Sequence, residues 1–215
     1  FETQVTYDIT ETHTVAVGFS YLETEVSDYN FSGNYIPTAN PRVIVPTPSS
    51  QDWPDESNWS HMPFERTVKA VFIEDVWDSA ESLRINLGLR YDHFSDFGEE
   101  FSPRAGLNLE FVDNYFLKLN YGRAFRAPIY NELYSPTTGN SDIEPETTDS
   151  YELGLAARFW PAVNWQVTYF YRERNDFITP VDGAQKNVDK VINRGGEVQL
   201  KYDFSRGSYL SLNYT

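Results

Sequence analysis

A two-residue alternation of apolar and polar side chains runs through most of this chain. Leu83, Ile85, Leu87, Leu89 and Tyr91 are interleaved with Arg84, Asn86, Gly88, Arg90 and Asp92. Successive side chains on a strand point to opposite faces, so this pattern is a strand with one apolar side. No 3.6-residue pattern is sustained, and the chain reads as all-β. Similar runs at about 2–9, 14–27, 65–77, 83–95, 101–111, 115–126, 150–160, 165–175, 190–204 and 209–215 predict ten strands. The longest apolar run, Ala70-Val71-Phe72-Ile73, falls far short of the roughly 20 residues of a spanning helix. A helical membrane protein is excluded.

Composition removes further classes. With 17 Lys+Arg against 32 Asp+Glu the net charge is −15, which argues against a nucleic-acid partner. The absence of cysteine excludes a disulfide scaffold, thiol catalysis and thiolate-held metal. Fifteen Phe, fifteen Tyr and five Trp beside 12 Pro and 12 Gly exclude a coiled coil and low-complexity disorder. The chain opens Phe1-Glu2-Thr3 with no initiator Met and no signal segment, so an internal piece of a longer protein is expected.

The connections between the predicted strands alternate in length. Tight ones fall at Thr10–His13, Asp78–Ser82, Val112–Asn114, Pro161–Asn164 and Ser205–Ser208, and those between them at 28–64, 96–100, 127–149 and 176–189. A β-sandwich has no reason to sort its loops by length. A membrane barrel does, because its two ends face different compartments. Eleven of the twelve prolines are expected in connections and Pro103 near a strand start. The four longer-side connections hold fifteen acidic residues and only Arg42 and Lys186 as bases. Such a rim is either a solvated surface or one that favours cationic or metal-bearing ligands.

The apolar face carries rings at its ends and aliphatic residues between. Phe101, Pro103, Ala105, Leu107, Leu109 and Phe111 form one face; Tyr115, Leu117, Leu119 and Tyr121 repeat the arrangement, as do Tyr151, Leu153, Leu155, Ala157 and Phe159. Rings suit the interfaces of a bilayer and aliphatic chains its centre. The opposite face carries Arg84, Arg90, Arg104, Glu110, Lys118 and Glu197, which a dry core would tolerate only in pairs and a wet lumen tolerates readily. Strand edges in lipid must close, so the ten strands either close alone or belong to a larger barrel.

Candidate chemistry is sparse. His13, His61 and His93 are the only histidines; His61-Met62 lacks further soft ligands, and pleating separates His93 from Asp92. No nucleophile, base and orienter set is evident, and no catalytic, metal or cofactor site is assigned. Gly195-Gly196 inside a strand predicts a bulge. Tyr35, Trp53, Trp59, Tyr130 and Tyr134 on the longer connections can stack on a planar ligand or pack loop against loop. Arg104 and Arg126, lumen-facing on neighbouring strands, can meet an anionic ligand, a carboxylate of a domain filling the lumen, or internal Arg–Glu ladders.

An ordered set of segments resembles the TonB-dependent outer-membrane receptors, closest to their cobalamin and iron-siderophore branch. It comprises Arg90-Tyr91-Asp92, Ser102-Pro103-Arg104-Ala105-Gly106-Leu107, Tyr121-Gly122-Arg123-Ala124-Phe125-Arg126-Ala127-Pro128, Glu132-Leu133-Tyr134, Ile143-Glu144-Pro145-Glu146-Thr147 and Tyr151-Glu152-Leu153-Gly154. Val71 to Trp77, Phe170-Tyr171, Asp176-Phe177-Ile178 and Asn193 to Val198 extend the likeness over about 65–215. The resemblance implies that 1–215 is a partial barrel domain, about ten strands of a larger antiparallel transmembrane barrel of about 22 strands with a plugged lumen. It implies a Gram-negative outer-membrane location, contact with the bilayer and lipopolysaccharide, and uptake of a scarce metal chelate. Energy would come from the TonB complex through an N-terminal plug that this sequence lacks. Haem receptors of the family usually place a histidine between the Phe-Arg-Ala-Pro box and the next box, and 127–144 contain none, which disfavours haem. The alternatives are a passive porin or structural barrel, and a barrel hydrolase.

Overall fold

The computed structural model describes residues 1–26, 32–37, 44–52, 64–135, 138–159, 162–205 and 207–215, with only the backbone path at 26, 32–37 and 44–52. Ten strands form one antiparallel meander: β1 (Glu2–Asp8), β2 (His13–Val26), β5 (Phe64–Ala80), β6 (Leu83–Phe94), β7 (Gly98–Val112), β8 (Tyr115–Arg126), β9 (Glu146–Phe159), β10 (Val163–Val181), β11 (Ala184–Ser205) and β12 (Ser208–Tyr214). Strands β3 (Ser32–Pro37) and β4 (Ile44–Asp52) form a separate hairpin, and α1 (Tyr130–Tyr134) is the one helix among the described residues. Each strand of the meander pairs with its sequence neighbours, and β1 and β12 lie at the two edges of the sheet.

The ladder registers sort the side chains as the alternation predicts. Leu87 faces Ala105, Leu107 faces Leu119, Leu117 faces Leu155 and Val167 faces both Leu155 and Val198, so the aliphatic residues share one face. Val71, Ile73, Leu87, Leu119, Leu153 and Leu155 are exposed there, uncovered by any other of the described residues. No described helix is long and apolar enough to cross a membrane. The opposite face holds the ion pairs Arg104–Glu74, Arg90–Asp92 and Arg172–Glu152.

Rings border the aliphatic band on both sides. Near the tight turns Phe111, Tyr115, Phe159 and Trp165 form a continuous chain of ring contacts around the sheet. Near the longer connections Tyr121, Tyr151 and Tyr171 do the same. Phe101 and Phe111 lie ten residues apart on β7. That is about 33 Å of strand, or about 23 Å of height at a tilt of about 45°, close to the apolar band of an outer-membrane barrel.

Several expectations need correction. The predicted loop at 176–189 is ladder: β10 and β11 stay paired out to Val181↔Ala184. They turn through Asp182 (φ 53°) and Gly183 (φ 86°), two residues that a left-handed hairpin turn accepts. The Asp-Gly pair was a readable signal. The β6–β7 connection at 95–97 is also short, so length does not separate the two ends as strictly as the sequence implied, and the long connection at 28–64 contains the β3–β4 hairpin. Prolines 37, 46, 48 and 180 also lie in strands. At Gly195 the predicted bulge is absent, since Phe170↔Gly195 and Tyr169↔Gly196 keep register. The glycine is there for space: a Cβ on it would lie 2.8 Å from the Phe170 ring that crosses it.

Candidate functional site

The packed interior of the described chain lies at the end where β8, β9, β10 and β11 pass beyond the upper ring belt. Leu133, Ile143 and Ile178 are buried together with Tyr134 against them. What holds the 127–145 connection over β10 is a guanidinium. Arg126, the last residue of β8, donates to both carboxylate oxygens of Glu132 at 2.9 and 3.1 Å and to Glu146 at 2.7 Å. Glu132 also accepts the Ile129 amide at 2.9 Å, fixing the first turn of α1. Glu146, with its side chain 4% exposed, also accepts the Ile178 amide at 2.9 Å. One cation thus ties the start, middle and end of the connection to β10.

Glu146 stands five residues above Tyr151, clear of the lipid-spanning stretch. Burial pushes its carboxyl up, but the Arg126 guanidinium, the Ile178 amide and nearby Arg174 outweigh burial and hold it below its usual value. The β10–β11 extension acts as a back-rest. Asn187 donates to the Glu144 and Asp176 carbonyls at 2.9 and 2.7 Å and accepts the Glu144 amide at 2.8 Å. Asn140 and Thr138 bond to the backbone of Gln185.

A second guanidinium secures the other flank. Arg66 of β5 forms a fork with Asp96, its shortest contact 2.6 Å, and donates to the Pro128 carbonyl at 2.9 Å. Phe64, Phe94 and Phe97 surround it with centroids at 5.2, 6.0 and 5.1 Å, a cation–π cage around a weakly hydrated ion. Phe64 in turn meets Tyr130 and Tyr134 at 5.0 and 5.4 Å. The two tyrosines lie 5.6 Å apart, one helical turn from each other. Buried Phe64 therefore backs a shelf of two half-buried rings, Tyr130 and Tyr134, able to stack on a planar ligand group.

Of the residues singled out in the sequence, Tyr130 and Tyr134 are brought together. Arg126 is close to them but spent on Glu132 and Glu146. Arg104 sits lower on the wall, opposite Gly122 and paired with Glu74; its guanidinium lies across bare Gly88, where a Cβ would come within 2.4 Å. Both arginines realise the internal-ladder alternative, and the structure does not join them. Tyr35 lies on β3 with only its backbone described; Trp53, Trp59 and His61-Met62 fall outside the described residues. His93 is 3.8 Å from Glu99, while Asp92 serves Arg90. Arg66, Asp96, Phe64, Phe94, Phe97, Glu146 and Asn187 were missed. They come from β5, β6, the β6–β7 turn, β9 and β11, and no local spacing marks them. Much of the rim's acidity is already engaged: Asp96, Glu132 and Glu146 in ion pairs, Asp182 with Lys186, and Asp149 by the Tyr121 hydroxyl.

Comparison with known proteins agrees with this architecture. The vitamin B12 transporter BtuB of Vibrio cholerae serotype O1 is 29% identical over 153 residues, covering 70% of this chain and 24% of that protein. The probable TonB-dependent siderophore receptor PirA of Acinetobacter baumannii is 28% identical over 168 residues, covering 66% of this chain and 22% of that protein. The chain therefore spans about a quarter of the length of these relatives. Among solved structures, the ferric enterobactin receptor PfeA of Pseudomonas aeruginosa (G324V mutant) superimposes with a TM-score of 0.76 at 20% identity, covering 99% of this chain and 34% of that one. The siderophore receptor PirA of Acinetobacter baumannii gives 0.72 at 20%, covering 94% and 34%. The model of the TonB dependent receptor-like β-barrel matches residues 1–215. The chain belongs to this family, and it is part of the wall and one rim of an outer-membrane β-barrel.

Proposed function

We propose that this chain is the barrel segment of an importer that captures a scarce metal chelate, of the iron-siderophore or cobalamin type, at the cell surface. Import is driven by the TonB complex acting on a plug outside this sequence, and the protein is not an enzyme. Supporting this reading, the family match covers 1–215, and the relatives include a vitamin B12 transporter and siderophore receptors. The observation that carries it is the combination of a lipid-facing wall with a rim connection clamped from two sides, by Arg66 and Arg126, so that Tyr130 and Tyr134, backed by buried Phe64, present a fixed aromatic shelf. A rigid shelf loses little entropy when a ligand lands on it.

The test is growth rescue. A strain deleted for the complete receptor is grown on a panel of ferric siderophores and cobalamin as limiting nutrient, with and without functional TonB. Rescue by one nutrient class in the TonB-positive strain alone is expected. Rescue that ignores TonB fits a passive porin and overturns the importer reading.

A further inference from the structure

Both arginines beside the aromatic shelf are already engaged. Arg66, its side chain 14% exposed, is forked onto Asp96, bonded to the Pro128 carbonyl and enclosed by three phenylalanine rings. Arg126 has its two terminal nitrogens on Glu132 and Glu146. Neither clamp leaves a positive charge for a ligand. Arg123, the next guanidinium down β8, lines a separate lumenal recess with Arg104, Glu2 and Glu74.

The segments that frame the shelf carry the opposite sign. Residues 127–145 hold Glu132, Asp142 and Glu144 with no Lys or Arg, and 95–100 hold Asp96, Glu99 and Glu100 with none. The 27–63 connection, which runs into Phe64, has Asp28, Asp52, Asp55 and Glu56 against Arg42. Beyond the carboxylates that the clamps neutralise, Asp142 and Glu144 remain. They flank Ile143, a member of the buried cluster on which Tyr134 packs. Both are exposed, and among the described residues their side chains make no hydrogen bond or ion pair.

The shelf thus presents two tyrosine rings beside carboxylates that have no counter-charge. The face of a ring is the negative pole of its quadrupole and attracts a cation. The carboxylates act in the same sense over a screening length of about 8 Å. A polyanionic chelate needs guanidinium or ammonium donors of the kind that are engaged here, and it would meet like charge instead.

We propose, building on the importer reading, that the shelf selects its chelate by charge: it takes a planar group that is neutral or cationic and turns away a polyanionic complex.

The test titrates the complete receptor, purified in detergent at physiological ionic strength, with two zinc porphyrins that share one planar core. One bears N-methylpyridinium groups and the other phenylsulfonates, and binding is followed by absorbance. Folding of each variant is checked by heat-modifiable gel mobility. The cationic porphyrin is expected to bind about tenfold tighter than the anionic one, the size of one cation–π contact held away from bulk water. Tyr130→Ala should weaken the cationic probe several-fold. Asn131→Arg, at an exposed position between the two tyrosines, should narrow the difference several-fold without disturbing the packing beneath. Equal binding of the two porphyrins, tighter binding of the sulfonate or binding of neither overturns the proposal. So does a preference that Asn131→Arg leaves unchanged, which would assign it to the acidic surface at large. Nutrient rescue reads the importer separately. TonB-dependent rescue by ferric enterobactin, a polyanion, would overturn the charge rule and leave the importer standing, whereas rescue that ignores TonB would overturn the importer with the porphyrin preference intact.

Discussion

The lipid-spanning wall and the outer rim are built on opposite principles. The wall has strands of ample length, nearly continuous ladders and almost no packed interior: its large apolar residues are exposed on one face. The rim, built from α1, the β10–β11 extension and the loops between them, contains the buried cluster of Leu133, Ile143 and Ile178 and two ion pairs with buried carboxylates, Arg66–Asp96 and Arg126–Glu146. The difference follows from the solvent. Acyl chains cover the wall's apolar face, so no second layer is needed. The rim projects into water and must bury its own apolar residues and pair its own charges.

This contrast can be broken by substitution. Leu87→Arg places a guanidinium in the middle of the lipid band and should cost about 2–4 kcal/mol in a membrane-refolding titration. Next in size, Arg126→Ala leaves Glu146 buried without its main partner. It should cost about 1.5–3 kcal/mol, localised at the rim, and be read as faster proteolysis within 127–145 while the barrel remains folded. If proteolysis is unchanged, Arg126 is not the clamp.

Acid should loosen the same clamp without substitution. Glu146 titrates below its usual value when folded, so its stabilisation is present above the ordinary carboxylate range, near pH 4, and is lost as pH falls through its lowered value. Proteolysis of the rim should therefore rise at low pH, and Glu146→Gln should flatten that dependence. The smallest effect is expected at Asn86→Arg, one residue from Leu87 but facing the lumen, which should shift stability by about 0.5 kcal/mol or less. Equal costs at 86 and 87 would erase the distinction between the two faces.

What was legible in the sequence divides along the same line. The wall could be read because a lipid-facing strand has a period of two and rings at its ends, both local properties: Phe101 to Phe111 shows them within one strand. The β10–β11 extension was missed because Asp176 and Asp189 interrupt the alternation, although Asp182-Gly183 marked the turn. In the rim, Tyr130 and Tyr134 were singled out only as rings on a longer connection, and the short helix that brings them together was not expected. Arg66 and Asp96 were not, since they meet only after β5 and β6 have paired, from positions thirty residues apart. Arg126 was noticed for its charge, and its role was decided by Glu132 and Glu146, contacts that no spacing rule specifies.

The central claim, that odd-numbered residues of β6 and β8 meet acyl chains while even-numbered ones look into the lumen, can be measured directly by cysteine labelling, since these 215 residues carry no cysteine of their own and any elsewhere in the complete receptor are first replaced by serine. Single cysteines at 83–91 and 115–121 of the complete receptor in liposomes would carry a spin label, with collision rates measured for oxygen and for a water-soluble nickel chelate. The account predicts that oxygen accessibility peaks at every second position, including 85, 87, 117 and 119, and is low at 84, 86, 118 and 120. Accessibility without a period of two, or maximal at the even positions, would contradict it.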